Sequence, residues 1–173
     1  MVLLNVLFTI FVVLFGIIGA VRGLRKELVV IVSGILALFI IQEVLPRLFG
    51  SLSGTKALYL ELIVLFVCGF LGYQTPAFRR FSESGRFNRD TPIEVILGAV
   101  FGAVNGYWMV GSAWYFIDKA GYPFAWIIAP DAGTEYGQQA IELLNNMVPK
   151  LLTDNGLYVA VAIAVLIVIG VMI

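Results

Sequence analysis

Long apolar runs separated by short polar breaks dominate the chain. Val2 to Val21 is apolar except for Asn5. About 20 helical residues at about 1.5 Å each cross a hydrocarbon core about 30 Å thick, so the run predicts a first membrane helix. Leu28 to Leu45 predicts a second, interrupted only by Ser33, Gly34 and Gln42 and closed by Glu43, Pro46 and Arg47. Gly50 to Lys56 is rich in Gly and Ser and reads as a loop. Leu58 to Tyr73 is the third span, Thr91 to Lys119 the fourth, and Leu157 to Ile173 a charge-free fifth run, preceded by an Asp154-Asn155-Gly156 turn. Between the last two, Ala140, Ile141, Leu143, Leu144, Met147 and Val148 recur at helical spacing, against Gln138, Gln139, Glu142, Asn145 and Asn146. That is an amphipathic helix lying on the membrane or on the bundle. The pattern predicts an all-α polytopic membrane protein with four to five transmembrane helices and one amphipathic interfacial helix. Residues 1–116 form a four-helix core, 117–155 an extracytoplasmic loop carrying the amphipathic helix, and 156–173 a C-terminal transmembrane helix.

The fourth run is the one the others are expected to pack around. Thr91, Pro92 and Glu94 make a start signal: a capping hydroxyl, a proline where its missing N–H costs nothing, and a glutamate that completes a capping box. Gly98, Gly102 and Gly106 then recur every fourth residue, with Ala99 and Ala103 beside them. One side of this helix therefore carries almost no side chain. In lipid, close backbone approach and dispersion replace the hydrophobic effect as the force between helices, and small residues four apart mark the faces that use it. Gly16, Gly19, Ala20 and Gly23 give the first helix a matching face, so a pairing of the two is expected. Tyr107, Trp108, Trp114 and Tyr115 gather toward the far end, where amphipathic rings suit headgroup depth, and Asp118 and Lys119 end the span.

Composition changes the picture mainly by exclusion. Of 173 residues, 61% are hydrophobic and mean hydropathy is +0.99, far outside the range of soluble domains. Eleven basic and eleven acidic residues cancel, which gives no footing for nucleic-acid binding. Seven of the eleven basic residues lie in two connections: Arg22, Arg25 and Lys26 after the first helix, and Arg79, Arg80, Arg86 and Arg89 after the third. Lys and Arg mark cytoplasmic loops, so the N-terminus is expected outside. In the second connection Phe78, Phe81 and Phe87 alternate with the arginines, a composition suited to an interface with anionic lipid.

Little in the chain points to catalysis. There is no histidine, hence none of the commonest general base, proton shuttle or metal ligand. The single cysteine, Cys68, lies in an apolar run and reads as a packing residue. No catalytic residue, metal site or cofactor is expected. Ser112 with Lys119 is a conceivable nucleophile pair without any spacing signature. Ionisable groups at bilayer depth mark ion or proton paths, and Glu61 and Glu94 are the acidic candidates. Both lie near helix ends, which favours an interfacial position for Glu61 and capping for Glu94. Arg22 reads as a topology anchor or as one half of a salt bridge to Glu27 or Glu94 that locks helices together.

Gly19-Ala20-Val21-Arg22-Gly23 followed by Glu27 resembles the end of the first helix in the colicin V production protein (CvpA) family, G-x-x-R-G and then a glutamate. Leu97 to Gly106 resembles that family's L-G-x-x-F-G-x-x-R-G helix, and the resemblance covers roughly residues 5 to 116. This chain departs from the pattern in having Asn105 where the family carries an arginine, and Glu94 and Val95 where it carries an Asp-Arg pair. The resemblance implies a bacterial inner-membrane protein, linked in some members to colicin V export, biofilm behaviour and envelope homeostasis. Expected partners are membrane lipid and either other membrane protein chains or further copies of this one, with no nucleic acid. The alternatives are a small subunit of a larger membrane complex and a transporter or channel component.

Overall fold

The computed structural model describes residues 4–50, 53–74, 92–153 and 155–172, and these form an all-α helical bundle. Helix α1 spans Leu4–Arg22 and α2 Leu24–Phe39; α2 continues through a π-helical segment, Ile40–Val44, into α3, Leu45–Phe49. Helix α4 spans Gly54–Gln74 and α5 Pro92–Lys119. Then come α6 (Glu135–Asn145), the single turn α7 (Val148–Leu151) and α8 (Asn155–Met172). Four helical stretches among the described residues are long and apolar enough to cross a membrane: Leu4–Arg22, Leu24–Phe49, Gly54–Gln74 and Pro92–Lys119. Helix α8 is equally apolar but shorter, with its apolar run over Asn155–Ile169.

Several boundaries differ from the expected ones. The second helix starts at Leu24, not Leu28, because the connection from α1 is the single residue Gly23. Its φ of +84° is a left-handed value that glycine adopts without a Cβ clash. Arg25, Lys26 and Glu27 therefore belong to the first turn of a helix and not to a loop. At the other end, Pro46 lacks an N–H and crowds the carbonyl four residues back. The ladder loosens there into π geometry, with the Leu45 N–H donating to the Ile40 carbonyl, and the helix runs on to Phe49 instead of closing at Pro46. Gly54 to Lys56, expected in a loop, form the first turn of α4, and Asn155 and Gly156, expected in a turn, open α8. The expected cap Thr91 and the turn residue Asp154 lie outside the described residues.

Helix α5 is the hub. Its glycine face meets α1 in antiparallel register: a Cβ on Gly19 would strike the Gly98 carbonyl oxygen and come within 2.7 Å of the Gly102 Cα. A Cβ on Gly106 would lie 2.7 Å from that of Phe15. The opposite side of α5 joins the larger core, in which Leu38 of α2, Leu58 of α4, Phe116 of α5 and Leu157 of α8 are fully enclosed or nearly so. A second core gathers Phe8, Trp114, Ala140, Leu144 and Met147, and so seats α6 on the end of the α1–α5 pair. The amphipathic helix thus lies on the bundle. It ends at Asn145, earlier than the periodicity implied: Met147 and Val148 belong to the next turn, and Ile141 is exposed.

Two of the tryptophans gathered toward the far end of α5 pack inside the bundle. Trp114 is 3% exposed and Trp108 8%, whereas Trp126 is 61% exposed. The rings of Trp114 and Tyr107 pack against Phe8 with centroids 5.8 and 5.5 Å away, and Gly34 opposite Trp108 leaves room for an indole between α2 and α5.

Helix α5 stops by a Schellman motif. The Tyr122 N–H donates to the Ile117 carbonyl and the Gly121 N–H to Asp118, with Gly121 at φ +75°. A Cβ at Gly121 would meet nothing within 4 Å, so a substitution there acts through the backbone alone. Gly121→Val is expected to cost roughly 1–2 kcal/mol, the strain of a branched residue in left-handed geometry, and Gly121→Asn less. Thermal unfolding midpoints in detergent check the ranking.

Candidate functional site

The first-turn position of Glu27 puts its carboxylate inside the bundle. Its side chain is fully buried, and four helices converge on it. From the last residue of α1, Arg22 Nε lies 3.0 Å from Glu27 Oε1. Neither atom completes a well-directed hydrogen bond, so this contact is an ion pair and not an aligned donor-acceptor pair. From α5, the Asn105 amide donates to Glu27 Oε2 at 2.8 Å and to the Glu27 backbone carbonyl at 3.0 Å. From α4, the Tyr73 hydroxyl donates to Glu27 Oε2 at 3.4 Å. Arg22 in turn donates to the Tyr73 carbonyl at 3.2 Å and stacks its guanidinium over the Tyr73 ring, 4.3 Å from the centroid.

This is a charge-compensated polar knot within an apolar bundle. A carboxylate away from water is tolerated when it is paired and hydrogen-bonded, and every partner named here is internal. Asn105 is central to it: halfway along α5 and 1% exposed, it joins the hub helix to the α1–α2 junction. Arg22 and its pairing with Glu27 are legible in the sequence, whereas Asn105 stands out there only as a departure from a family pattern. The available signal was a carboxamide in the middle of an apolar span, a residue that in lipid needs a partner on another helix.

The other acidic candidates fall elsewhere. Glu94 lies at the α1–α2 junction, where a Cβ on Gly23 would sit 3.7 Å from its Oε1. Its Oε2 is buried and without a hydrogen-bond partner. Glu61 is 6% exposed, and its Oε1 accepts from Lys119 Nζ at 2.8 Å, tying α4 to the end of α5. Because Lys119 itself is half exposed, this second pair is partly screened by its surroundings. It also engages Lys119, the lysine named as a conceivable partner of Ser112. Ser112 is fully buried. The structure does not bring Glu61 and Glu94 into one site: one belongs with the end of α5, the other with its start.

The small residues named as a packing set do come together: Gly16 against Ala99 and Ala103, Gly19 against Gly98 and Gly102, Gly23 against Glu94. Of the basic residues, Arg22 belongs to the knot, and Arg25 and Lys26 lie in the first turn of α2. Arg79, Arg80, Arg86 and Arg89, with their interleaved phenylalanines, lie outside the described residues. Among the described residues no group of three or more His, Cys, Asp or Glu is placed to hold a metal ion.

Beyond α5, the Tyr122 hydroxyl accepts from Trp114 Nε1 at 3.2 Å. Burial pushes this phenol up to about 12, helped by the nearby Asp118 carboxylate and opposed by the indole hydrogen bond. The unfolded chain gives up this proton near the ordinary phenol value of 10.0, so above that pH the folded state binds more protons than the unfolded one. Stability from this group is whole below pH about 10 and falls as pH rises toward 12. Relative to Tyr122→Phe, the wild-type thermal midpoint is therefore expected to drop over that window. Parallel curves would show that the phenol is not buried as described.

Comparison of the chain with protein-family models, with curated proteins and with solved structures gives no match.

Proposed function

We propose that this chain is a non-enzymatic integral membrane protein of the colicin V production type, an accessory factor in envelope function or toxin export. It would reside in a bacterial inner membrane with its N-terminus outside. One observation supports this reading above the others: the two stretches that carry the resemblance, Gly19 to Gly23 and Leu97 to Gly106, lie against each other. Gly19 meets Gly98 and Gly102 directly, and Arg22, Glu27 and Asn105 are joined through one carboxylate. Residues far apart in the chain thus act as one unit, a rigid helix junction. Rigidity and an apolar exterior suit a scaffold that other membrane chains assemble on.

The test is deletion of the gene in its host, with complementation by the wild type, combined with gentle extraction and identification of copurifying chains. Impaired envelope integrity or toxin export, restored by the wild type, is expected. An unaltered host would overturn the reading. A fixed set of heterologous partners would make the chain a subunit of a larger complex, and a monomer or homo-oligomer an independent factor.

A transport role is the second reading, favoured by the buried Glu27 carboxylate, since buried ionisable groups accompany ion paths. Solute or proton flux in reconstituted vesicles that Glu27→Gln, Glu61→Gln or Glu94→Gln abolishes would support it. Flux no greater than in protein-free vesicles would reject it, and wild-type flux in all three variants would exclude these carboxylates from the path.

A further inference from the structure

The loop that follows α5 carries apolar side chains where a water-facing connection would carry polar ones. From Pro123 to Ala129 it has no charged residue. Within it Phe124 to Ile127 form a β-turn, closed by the Ile127 N–H donating to the Phe124 carbonyl at 3.0 Å. Ile127 is buried and fixes the turn to the bundle, whereas its neighbours Trp126 and Ile128 are exposed.

A single exposed apolar residue is ordinary, but a contiguous patch marks a surface that something covers. Here the patch is continuous. The Phe124 ring lies 5.6 Å from that of Trp126 and, edge-on, 6.4 Å from that of Tyr59 on α4. Tyr59 heads a row of exposed residues on α4, Tyr59, Ile63, Phe66 and Phe70, spaced three or four apart and so on one face. Helix α4 is long and apolar enough to cross a membrane, and in a membrane that row faces lipid. The loop therefore prolongs a face that lipid already covers.

Its depth follows from the Glu61–Lys119 pair. An ion pair with one half-exposed partner belongs where hydrocarbon gives way to headgroups, so this contact, 2.8 Å long, marks the boundary on both α4 and α5. Tyr59 lies two residues nearer the start of α4, about 3 Å farther out. Beyond Lys119 the Schellman turn folds the chain back, and Phe124 comes to rest beside Tyr59 instead of continuing away from the bundle.

We propose that the Phe124–Ile127 turn is a membrane-binding surface, with Trp126 seated among the phospholipid headgroups of the leaflet at this end of the bundle. An indole suits that depth: its apolar body covers the upper acyl chains, and its N–H donates to an ester or phosphate oxygen. The turn carries no charge, so zwitterionic lipid serves it. The connection expected to be extracytoplasmic throughout thus begins as an interfacial segment, and α5 is held to the leaflet by the chain that leaves it.

Tryptophan fluorescence of the full chain in phosphatidylcholine vesicles tests the surface. Wild type is compared with Trp126→Phe, so that the difference reports Trp126 apart from the buried Trp108 and Trp114. An unchanged thermal midpoint in detergent is expected for the variant, since the ring it alters is exposed. The difference emission is expected to be lost in lipid brominated high on the acyl chains, less so in lipid brominated near the chain ends, and to be largely kept with iodide on both sides of the bilayer. Quenching by iodide and by neither lipid would place the turn in water. Strongest quenching near the chain ends would place it in hydrocarbon, and quenching by none of the three would place it under another protein chain. Each of these three results would overturn the proposal.

Discussion

Gly19→Val is expected to remove the folded bundle at temperatures where the wild type is intact, a loss of more than about 3 kcal/mol. The magnitude follows from what the new side chain would meet. Its first carbon would strike the Gly98 carbonyl and lie 2.7 Å from the Gly102 Cα, which is backbone on both counts. A flexible side chain can rotate out of the way, but a helix backbone can only move as a body. Helix α1 would have to withdraw along its length, and with it would go the packing of Phe15 on Gly106 and of Phe8 on Trp114. Gly16→Ala is the matching control, since its Cβ would sit 3.4 Å from the Ala99 oxygen and 3.5 Å from the Ala103 Cβ. That variant is expected to be neutral or to gain up to about 1 kcal/mol from helix propensity. Thermal unfolding in detergent measures both. A Gly19→Val protein with the wild-type midpoint would show that the two helices do not cross there.

Glu27→Ala ranks next. It would leave the Asn105 amide and the Tyr73 hydroxyl without their acceptor and Arg22 without its counter-charge, all within the bundle. Breaking a buried pair from one side costs about 3–5 kcal/mol. The lower part of that range is expected, because the Arg22 side chain is 21% exposed and can carry its charge outward on its methylene stem. Glu27→Gln keeps an oxygen for Asn105 and Tyr73 and is expected to cost about half as much. A double variant of Glu27→Ala with Arg22→Ala should be more stable than Glu27→Ala alone, since it removes the stranded guanidinium along with its partner. Equal midpoints for Glu27→Ala and the wild type would mean that the knot does not hold the helices together.

Much of the architecture was legible along the chain because a bilayer imposes constraints that act within single segments. A span needs about 20 apolar residues whatever its neighbours are, so four to five spans could be counted from the runs alone, the fifth being the run that is shorter in the fold. Spacing of four places Gly98, Gly102 and Gly106 on one face, and the same reasoning applied to Gly16, Gly19 and Gly23. Turn chemistry was less legible. A single glycine at φ +84° replaces the expected basic turn, and Pro46 loosens a helix that it was expected to end.

What no stretch of sequence contained was which face meets which. Periodicity tells that Trp114 and Asn105 lie on particular sides of α5, yet the same pattern is compatible with lipid, headgroup or another helix. The fold placed Trp114 against Phe8, Lys119 beside Glu61, and Glu27 beneath Arg22 with Asn105 and Tyr73 around it. The physical reason is that membrane length and helical spacing are local properties. The partner of a buried polar group is set by how four helices cross, and that depends on every close contact between them at once.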